Sequence, residues 1–384
     1  MVHISEREAQ LPDAVIGKLL KIAVEDKDVL SLGVGEPDFI TPKPILDYAS
    51  RVIKKSTHYA PIQGIKELRE AISKKLRREN GINADPDNII VTVGSQEAMF
   101  SSLMCSLDPG EEVIVPNPSY LAYTPAIELL NAVPVYVKLE EKDDFEINPE
   151  RIKEAVNKQK TKAIIINTPA NPTGNVLQRK VLEEIADIAV ENDIYIFSDE
   201  AYEKLVYDKK HVSIGSLNGM EDYIVTIQSF SKSYAMCGFR IGYLHAPENL
   251  AKAVTKSLHY VTLTSGTLSQ HLALKALSIN KSYIEKMRKE YNRRRLYIVK
   301  RLNEIGLTTR MPGGAFYAFA NIKHLNMKSF DFSSKLLKEA KVAVMPGSEF
   351  GNFGEGYIRC SYATDIKKIE KAMNRMEKFV KKLK

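Results

Sequence analysis

The amino-acid sequence predicts an α/β protein: a mostly parallel sheet with helices on both faces, followed by a smaller α+β unit. Three observations predict it. Short apolar runs alternate with amphipathic stretches through the middle of the chain, as buried strands joined by crossover helices do. The length, 384 residues, exceeds what one ordinary core organises and favours two domains. Near residue 281 the texture changes to long charged helices with few strands.

Taken in order, residues 89–93 read as a buried strand and 96–107 as the helix after it. Residues 113–115 are the next strand, 120–130 the next helix, 133–137 a strand and 149–157 a helix. The apolar strands 163–166 and 194–197 flank an amphipathic helix, 180–191, and the strands 224–227 and 241–244 bring the set to seven. Sheets of this kind bind ligands in the crevice beyond the C-terminal ends of their strands, and the candidate site residues are expected there. Farther on come a charged helix, 283–302, the turn Pro312-Gly313-Gly314, a strand, 315–319, and an amphipathic helix, 365–382. The expected domains are an N-terminal segment, 1–42, packing with the small domain; a large domain, 43–280; and a small domain, 281–384.

Composition excludes several classes. A hydrophobic content of 44% and a charged content of 27% are globular values. No apolar run reaches the roughly 18 residues of a membrane span, and the first residues lack the apolar stretch of a signal peptide. Cys105, Cys237 and Cys360 lie far apart, with no metal-ligand spacing and no disulfide framework. They read as packing thiols in a reducing cytoplasm, and no metal is expected. The net charge of +7 is spread over Lys/Glu helical faces without any nucleic-acid-binding signature, so neither a nucleic-acid nor a membrane partner is expected.

The chemistry concentrates around Lys232, in Ser229-Phe230-Ser231-Lys232, with Arg240 eight residues on. A lysine amine can capture an aldehyde while a hydroxyl and a planar guanidinium hold a phosphate. Such an amine must be partly deprotonated, which burial or a nearby cation favours. The spacing therefore suits a phosphorylated aldehyde. Most lysines are simply solvated, but Ile224, Val225, Ile227 and Phe230 make this segment a strand running into a site. Gly94-Ser95-Gln96 lies where a strand hands over to a helix, and is either an anion site on free N–H groups or an ordinary serine cap. Asn171-Pro172-Thr173-Gly174 is a turn after a strand, and Asp199 is a strand-end carboxylate or a helix cap. Gly33-Val34-Gly35 is not a dinucleotide loop, because Asp38 replaces the third glycine and Pro37 interrupts the helix start.

In one order, and over essentially the whole chain, these segments resemble the class I/II aminotransferases of fold type I, in the aspartate/aromatic subgroup. The resemblance implies the pyridoxal-phosphate-dependent transferase fold, with a mostly parallel seven-stranded sheet, and pyridoxal 5'-phosphate (PLP) held as an imine on Lys232. Cofactor contacts then fall to Gly94, Ser95, Gln96, Ser229 and Arg240 at the phosphate, and to Tyr120 on the ring face. Asn171 and Tyr202 would reach the phenolic oxygen, and Asp199 would keep the pyridine nitrogen protonated, the electron-sink role. Arg359, in Tyr357-Ile358-Arg359-Cys360, would grip the substrate carboxylate, with Asn171 beside it and Gly35 letting the backbone approach. Tyr59 would reach the phosphate of a neighbouring subunit, which implies a homodimer with shared sites.

The implied reaction moves an α-amino group from an aromatic amino acid, aspartate or glutamate to a 2-oxo acid such as 2-oxoglutarate, in a ping-pong cycle with Lys232 as proton carrier. The sequence departs from the subgroup in one respect. Residues 257–271 hold no Arg, and Gln96 stands where one branch carries a lysine for a distal carboxylate. That favours aromatic or mixed donors, with Tyr260, Thr264 and the segment around Val15 and Ile16 as candidate lining. A PLP-dependent lyase would share Lys232, Asp199 and Arg240 and is the alternative reading. A DNA-binding regulator would need a further domain ahead of Gly35, which is not expected, and a dehydrogenase would need the absent glycine fingerprint.

Overall fold

The computed structural model describes residues 4–9, 11, 26, 28–217 and 219–383. A short helix α1 (Glu6–Ala9), strand β1 (Leu30–Ser31) and helices α2 (Lys43–Val52) and α3 (Lys66–Lys75) come first. The alternating region runs β2 (Ile89–Thr92), α4 (Ser95–Met104), β3 (Glu112–Asn117), α5 (Tyr123–Leu129), β4 (Val133–Lys138) and α6 (Pro149–Ala155). It continues with β5 (Thr161–Asn167), α7 (Arg179–Asn192), β6 (Tyr195–Asp199), β7 (Ile224–Ser229), α8 (Phe230–Ser233) and β8 (Gly242–His245). The seven strands form one sheet in the order β2-β8-β7-β6-β5-β3-β4. Only β8 runs against its neighbours; the other pairings are parallel.

The central strands are buried along almost their whole length, which is why their sequences read as unbroken apolar runs. Their helices bury one stripe. In α7, Leu182, Ile185, Ala186 and Ala189 recur at helical spacing and are buried. The chain leaves β3 for β4 on one side and returns to β5 on the other. This reversal opens a crevice beyond the C-terminal ends of β3 and β5.

The rest of the chain is α9 (Glu248–Val261), α10 (Thr267–Ala276), α11 (Ser282–Glu304), β9 (Tyr317–Asn321), α12 (Ser329–Ala340), β10 (Val342–Ala343), β11 (Met345–Pro346), β12 (Tyr357–Ser361) and α13 (Ile366–Leu383). Strands β11, β12 and β9 form an antiparallel sheet, and β1 pairs in parallel with β10. Leu32 joins Tyr291, Ile298, Phe332 and Met376 in the apolar cluster beneath these elements.

The structure departs from the sequence reading in several places. Helix α5 begins at Tyr123, three residues later than expected, because Tyr120 lies in the loop that leaves β3. Strand β9 begins at Tyr317 because Ala315 takes a left-handed φ of 57° that no strand accommodates. Strand β12 was not recognised as a strand, since the buried Arg359 interrupts its apolar run. Helices α1, α2, α3, α9, α10 and α12 also lie outside the sequence reading. No described helix is long and apolar enough to cross a membrane.

Candidate active site

Lys232 sits in the single turn α8, where β7 ends. The Ser229 hydroxyl opens that turn by accepting the Ser231 amide at 3.1 Å. Phe230 and Ser233 are buried against the fold, while Ser231 and Lys232 line the crevice. Its Nζ donates to the Gly35 carbonyl at 2.6 Å and lies 3.9 Å from Cys237 Sγ. Cys237, expected only as a packing thiol, is therefore a neighbour of the site amine. Burial raises its thiol pKa, while the Lys232 ammonium opposes that rise. The crevice is a cleft of about 760 Å³ that also takes in Asp199, Asn171, Tyr202, Arg240 and Arg359.

Asp199 ends β6 on the cleft floor. The Tyr123 hydroxyl donates to its Oδ2 at 2.6 Å, and the Ala201 amide donates to Oδ1 at 3.1 Å. Burial pushes the Asp199 carboxyl pKa up, and these two donors oppose the rise. Asn167, opposite Asp199 across the β5–β6 ladder, ties the neighbouring loop to this floor. Its Nδ2 donates to the Asp199 carbonyl at 3.0 Å and its Oδ1 accepts the Asn171 amide at 2.8 Å. Tyr120 lies against Tyr123 edge to face at 5.5 Å, and burial pushes its phenol up to about 12.

Groups that can bind an anion gather around Gly94. Gly94 precedes α4 with φ of 80°, and a Cβ there would stand 2.7 Å from Arg240 Nη2. Ser95 and Gln96 open α4, whose first amides have no acceptor within the helix. Gly242 lets β8 approach this terminus, since its Cβ would lie 2.7 Å from the Ser95 nitrogen. Arg240 Nη1 donates to the Cys237 carbonyl at 3.0 Å. Arg240 precedes the antiparallel β8, so it enters from the N-terminal end of a strand, contrary to expectation.

Arg359 comes from β12, outside the large sheet. It is almost wholly buried, between the rings of Tyr317 and Phe350 at 4.3 and 4.8 Å. Nη1 donates to Asn171 Oδ1 at 2.9 Å and Nη2 to the Gly33 carbonyl at 2.7 Å, while Nε is buried without a partner. Tyr202 meets Tyr317, hydroxyl to hydroxyl, at 2.7 Å. Gly35 lines the cleft as well. Its missing side chain makes room for Tyr317, since a Cβ would stand 2.5 Å from that hydroxyl, and its carbonyl serves Lys232.

Not every candidate converges. Tyr59 is 85% exposed and lines a separate surface groove of about 470 Å³ with Thr264 and Ser265. Tyr260 is 80% exposed and lies beside another surface hollow, so Tyr260 and Thr264 do not line the Lys232 cleft of their own chain. Val15 and Ile16 fall outside the described residues. One cluster of metal-ligand type occurs among the described residues, Glu200, Glu203 and His211, with ligand atoms within 4.8 Å of one another. The Lys75 ammonium already bonds to Glu203, so the cluster carries its own cation. Sequence reading missed Tyr123, Asn167, Tyr317 and Phe350. Their only signal is aromatic or amide character at a strand or helix end, and tertiary contact gives them their place.

The comparisons agree with this geometry. The family described as "Aminotransferase class I and II" matches residues 27–376. A curated aspartate aminotransferase of Pyrococcus abyssi is 48% identical over 99% of both chains. Aromatic-amino-acid aminotransferase 2 of Thermococcus litoralis is 46% identical over 99% of both. The crystal structure of the aromatic aminotransferase from Pyrococcus horikoshii superimposes with a TM-score of 0.91 at 47% identity, over 96% of this chain and 99% of that one. A half-buried lysine, a buried carboxylate and two arginines, one buried and one exposed, surround one crevice of a mostly parallel sheet. The chain belongs to the class I and II aminotransferases.

Proposed function

We propose that this aminotransferase works with PLP, attached at Lys232, and follows a ping-pong course between an amino acid and a 2-oxo acid. One observation carries the reading. Lys232, Asp199, Arg240 and Arg359 converge on a single cleft, which supports a shared task at one cofactor–substrate pair. The residues also fit the group. Gly94 leaves open a cradle between the α4 terminus and Arg240 that a Cβ would fill. Arg359 keeps one buried N–H unused. Bound there, PLP supplies an electron sink for the substrate's Cα.

The protein's part is orientation and proton transfer. Ser95, Gln96, Ser229 and Arg240 would hold the phosphate, and Tyr120 the ring face. Asp199 would pair with the pyridine nitrogen, and Asn171 and Tyr202 with the phenolic oxygen. Arg359 would clamp the α-carboxylate, and a clamped substrate presents its Cα–H bond in one direction. Lys232 Nζ would then take the Cα proton and return it to the carbon on the far side of the amino nitrogen, as base and then acid.

Aromatic amino acids, aspartate and glutamate are the proposed donors, and 2-oxoglutarate the proposed acceptor. Among the described cleft-lining residues the only Lys and Arg side chains are Lys232, Arg240 and Arg359, and each already has a task. That supports aromatic or mixed donors. The exposed Tyr59, in a groove with Thr264, supports a homodimer in which Tyr59 reaches the partner's phosphate. The domain limits 1–42, 43–280 and 281–384 and a cytoplasmic location complete the reading.

An absorbance spectrum of the purified protein tests it, before and after tyrosine, aspartate or glutamate. A visible band is expected, converting to that of the amine form with a true donor and absent in Lys232→Ala. No visible band after PLP is added overturns the proposal.

A further inference from the structure

We infer that Tyr317 is a positioning residue: it gives its hydroxyl proton to Tyr202, so that Tyr202 can donate its own proton into the cleft. The inference rests on the PLP reading above. Tyr317 opens β9, is about as buried as the core around it, and lines the cleft. Its hydroxyl and that of Tyr202 lie 2.7 Å apart. Each phenol owns one proton and the shared bond uses one of them. Neither hydroxyl has a second partner among the described residues. A ligand oxygen can therefore take the proton of Tyr202 only if Tyr317 fills the shared bond.

The surroundings of Tyr317 favour that direction. One side of its hydroxyl is closed by Gly35, where a Cβ would come within 2.5 Å. The acceptor left to Tyr317 is Tyr202. A phenol that accepts a hydrogen bond becomes a stronger donor, because successive bonds polarise one another. The ring has a second task. The Arg359 guanidinium lies 4.3 Å from its centre, so one side chain touches both the phenolic-oxygen side and the carboxylate side of the site.

The test uses the PLP-loaded protein. The visible absorbance is titrated with pH in the wild type, Tyr202→Phe, Tyr317→Phe and the double variant. Donation to the phenolic oxygen weakens that oxygen's hold on the proton it shares with the Lys232 nitrogen. Loss of the donor should raise the midpoint. Tyr202→Phe should raise it most and Tyr317→Phe less, while the double variant should match Tyr202→Phe. A wild-type midpoint in Tyr317→Phe overturns the inference, as do single shifts that add in the double.

Two further measurements need no turnover. Binding of 3-phenylpropionate, an unreactive monocarboxylate, should be unchanged in Tyr317→Phe and weakened about three- to tenfold in Tyr317→Leu, which removes the ring. Equal weakening in both variants overturns the split between hydroxyl and ring. Gly35→Ala should lower the thermal midpoint, and Tyr317→Phe should partly restore it, since the nearest atom then becomes a ring carbon at 3.4 Å. No restoration overturns the contact on which the argument stands. A wild type without a visible band would sink the PLP reading itself, whereas a normal band with an unmoved Tyr317→Phe midpoint sinks only the role of Tyr317.

Discussion

Asp199 and Glu200 are adjacent on the chain, yet they face differently satisfied sides of the sheet. Asp199 faces the cleft and has two hydrogen bonds. Glu200 faces away and is saturated. Its Oε2 accepts from Ser213 at 2.7 Å, Gln228 at 2.9 Å and Asn80 at 3.4 Å, and its Oε1 from Ser198 at 3.1 Å. Behind it, the Lys75 ammonium bonds to Asn80, Glu203 and Gln228. Buried polar groups that satisfy one another rigidify a frame, and a half-satisfied one is a costly place kept for a ligand. Side-by-side carboxylates thus separate function from framework.

The largest expected effect breaks the cleft side alone. Asp199→Asn should lower kcat/KM by about 10³-fold, the scale of losing one placed electrostatic group. Its thermal midpoint should hold or rise, because burial already disfavours the ionised form of this carboxyl. A variant that loses stability along with activity would make Asp199 part of the frame and erase the distinction.

The opposite split is expected behind the strand. Glu203→Ala strands the Lys75 ammonium and should cost about 3–5 kcal/mol in a denaturant titration. Joint replacement by Lys75→Met and Glu203→Gln should cost much less. Burial alone would raise the Glu203 carboxyl, but the Lys75 and Lys204 ammoniums outweigh it and hold the pKa at about 2 against an ordinary 4.5. Its contribution is therefore complete above pH 4.5 and is lost as the pH falls towards 2. Single and double variants of equal stability would show that no such coupling exists.

How much of this was legible follows from where the information lies. Lys232, Asn171, Asp199, Arg240 and Arg359 each sit in a short string whose turn or strand end is itself readable, and the fold brings all five to one cleft. Lys75 could not be found that way. It follows Lys74 at the end of a helix, and only its contacts with Glu203 and Gln228, from other elements, decide that Lys75 is buried. Tyr317 likewise lies in an ordinary aromatic strand until Tyr202 and Gly35 meet it from other elements. Tyr59 belongs to a third kind, since a single chain leaves it exposed and only an assembly could give it a partner.

His245 sharpens the comparison from the framework side. It ends β8, its Nδ1 has no partner, and burial lowers its pKa to about 4 from 6.5. A base held neutral in the folded state binds fewer protons than the unfolded chain between those values, so stability is complete above pH 6.5 and falls as the pH drops to about 4. The loss over that window is about 3 kcal/mol for the two to three pH units involved. In His245→Asn, unfolding free energies measured at pH 7 and pH 4.5 should differ less than in the wild type. An unchanged difference would assign the acid sensitivity elsewhere.

Tyr123→Phe carries the smallest effect and tests the boundary between the two sides. Its hydroxyl is the one side-chain donor to Asp199 among the described residues, and it holds the ionised form of the carboxyl. Removal should move the Asp199 pKa further up, beyond the rise that burial causes. The ionised fraction at a given pH then shrinks, so the acid limb of kcat/KM should shift to higher pH. At neutral pH the loss should be about tenfold, the lower end for a hydrogen bond to a charged group. Stability should change little, since Phe keeps the ring that meets Tyr120 edge to face. An acid limb in the wild-type position would show that the Asp199 charge is set by the bound cofactor alone, and Tyr123 would then belong with Glu200 and Lys75 in the framework.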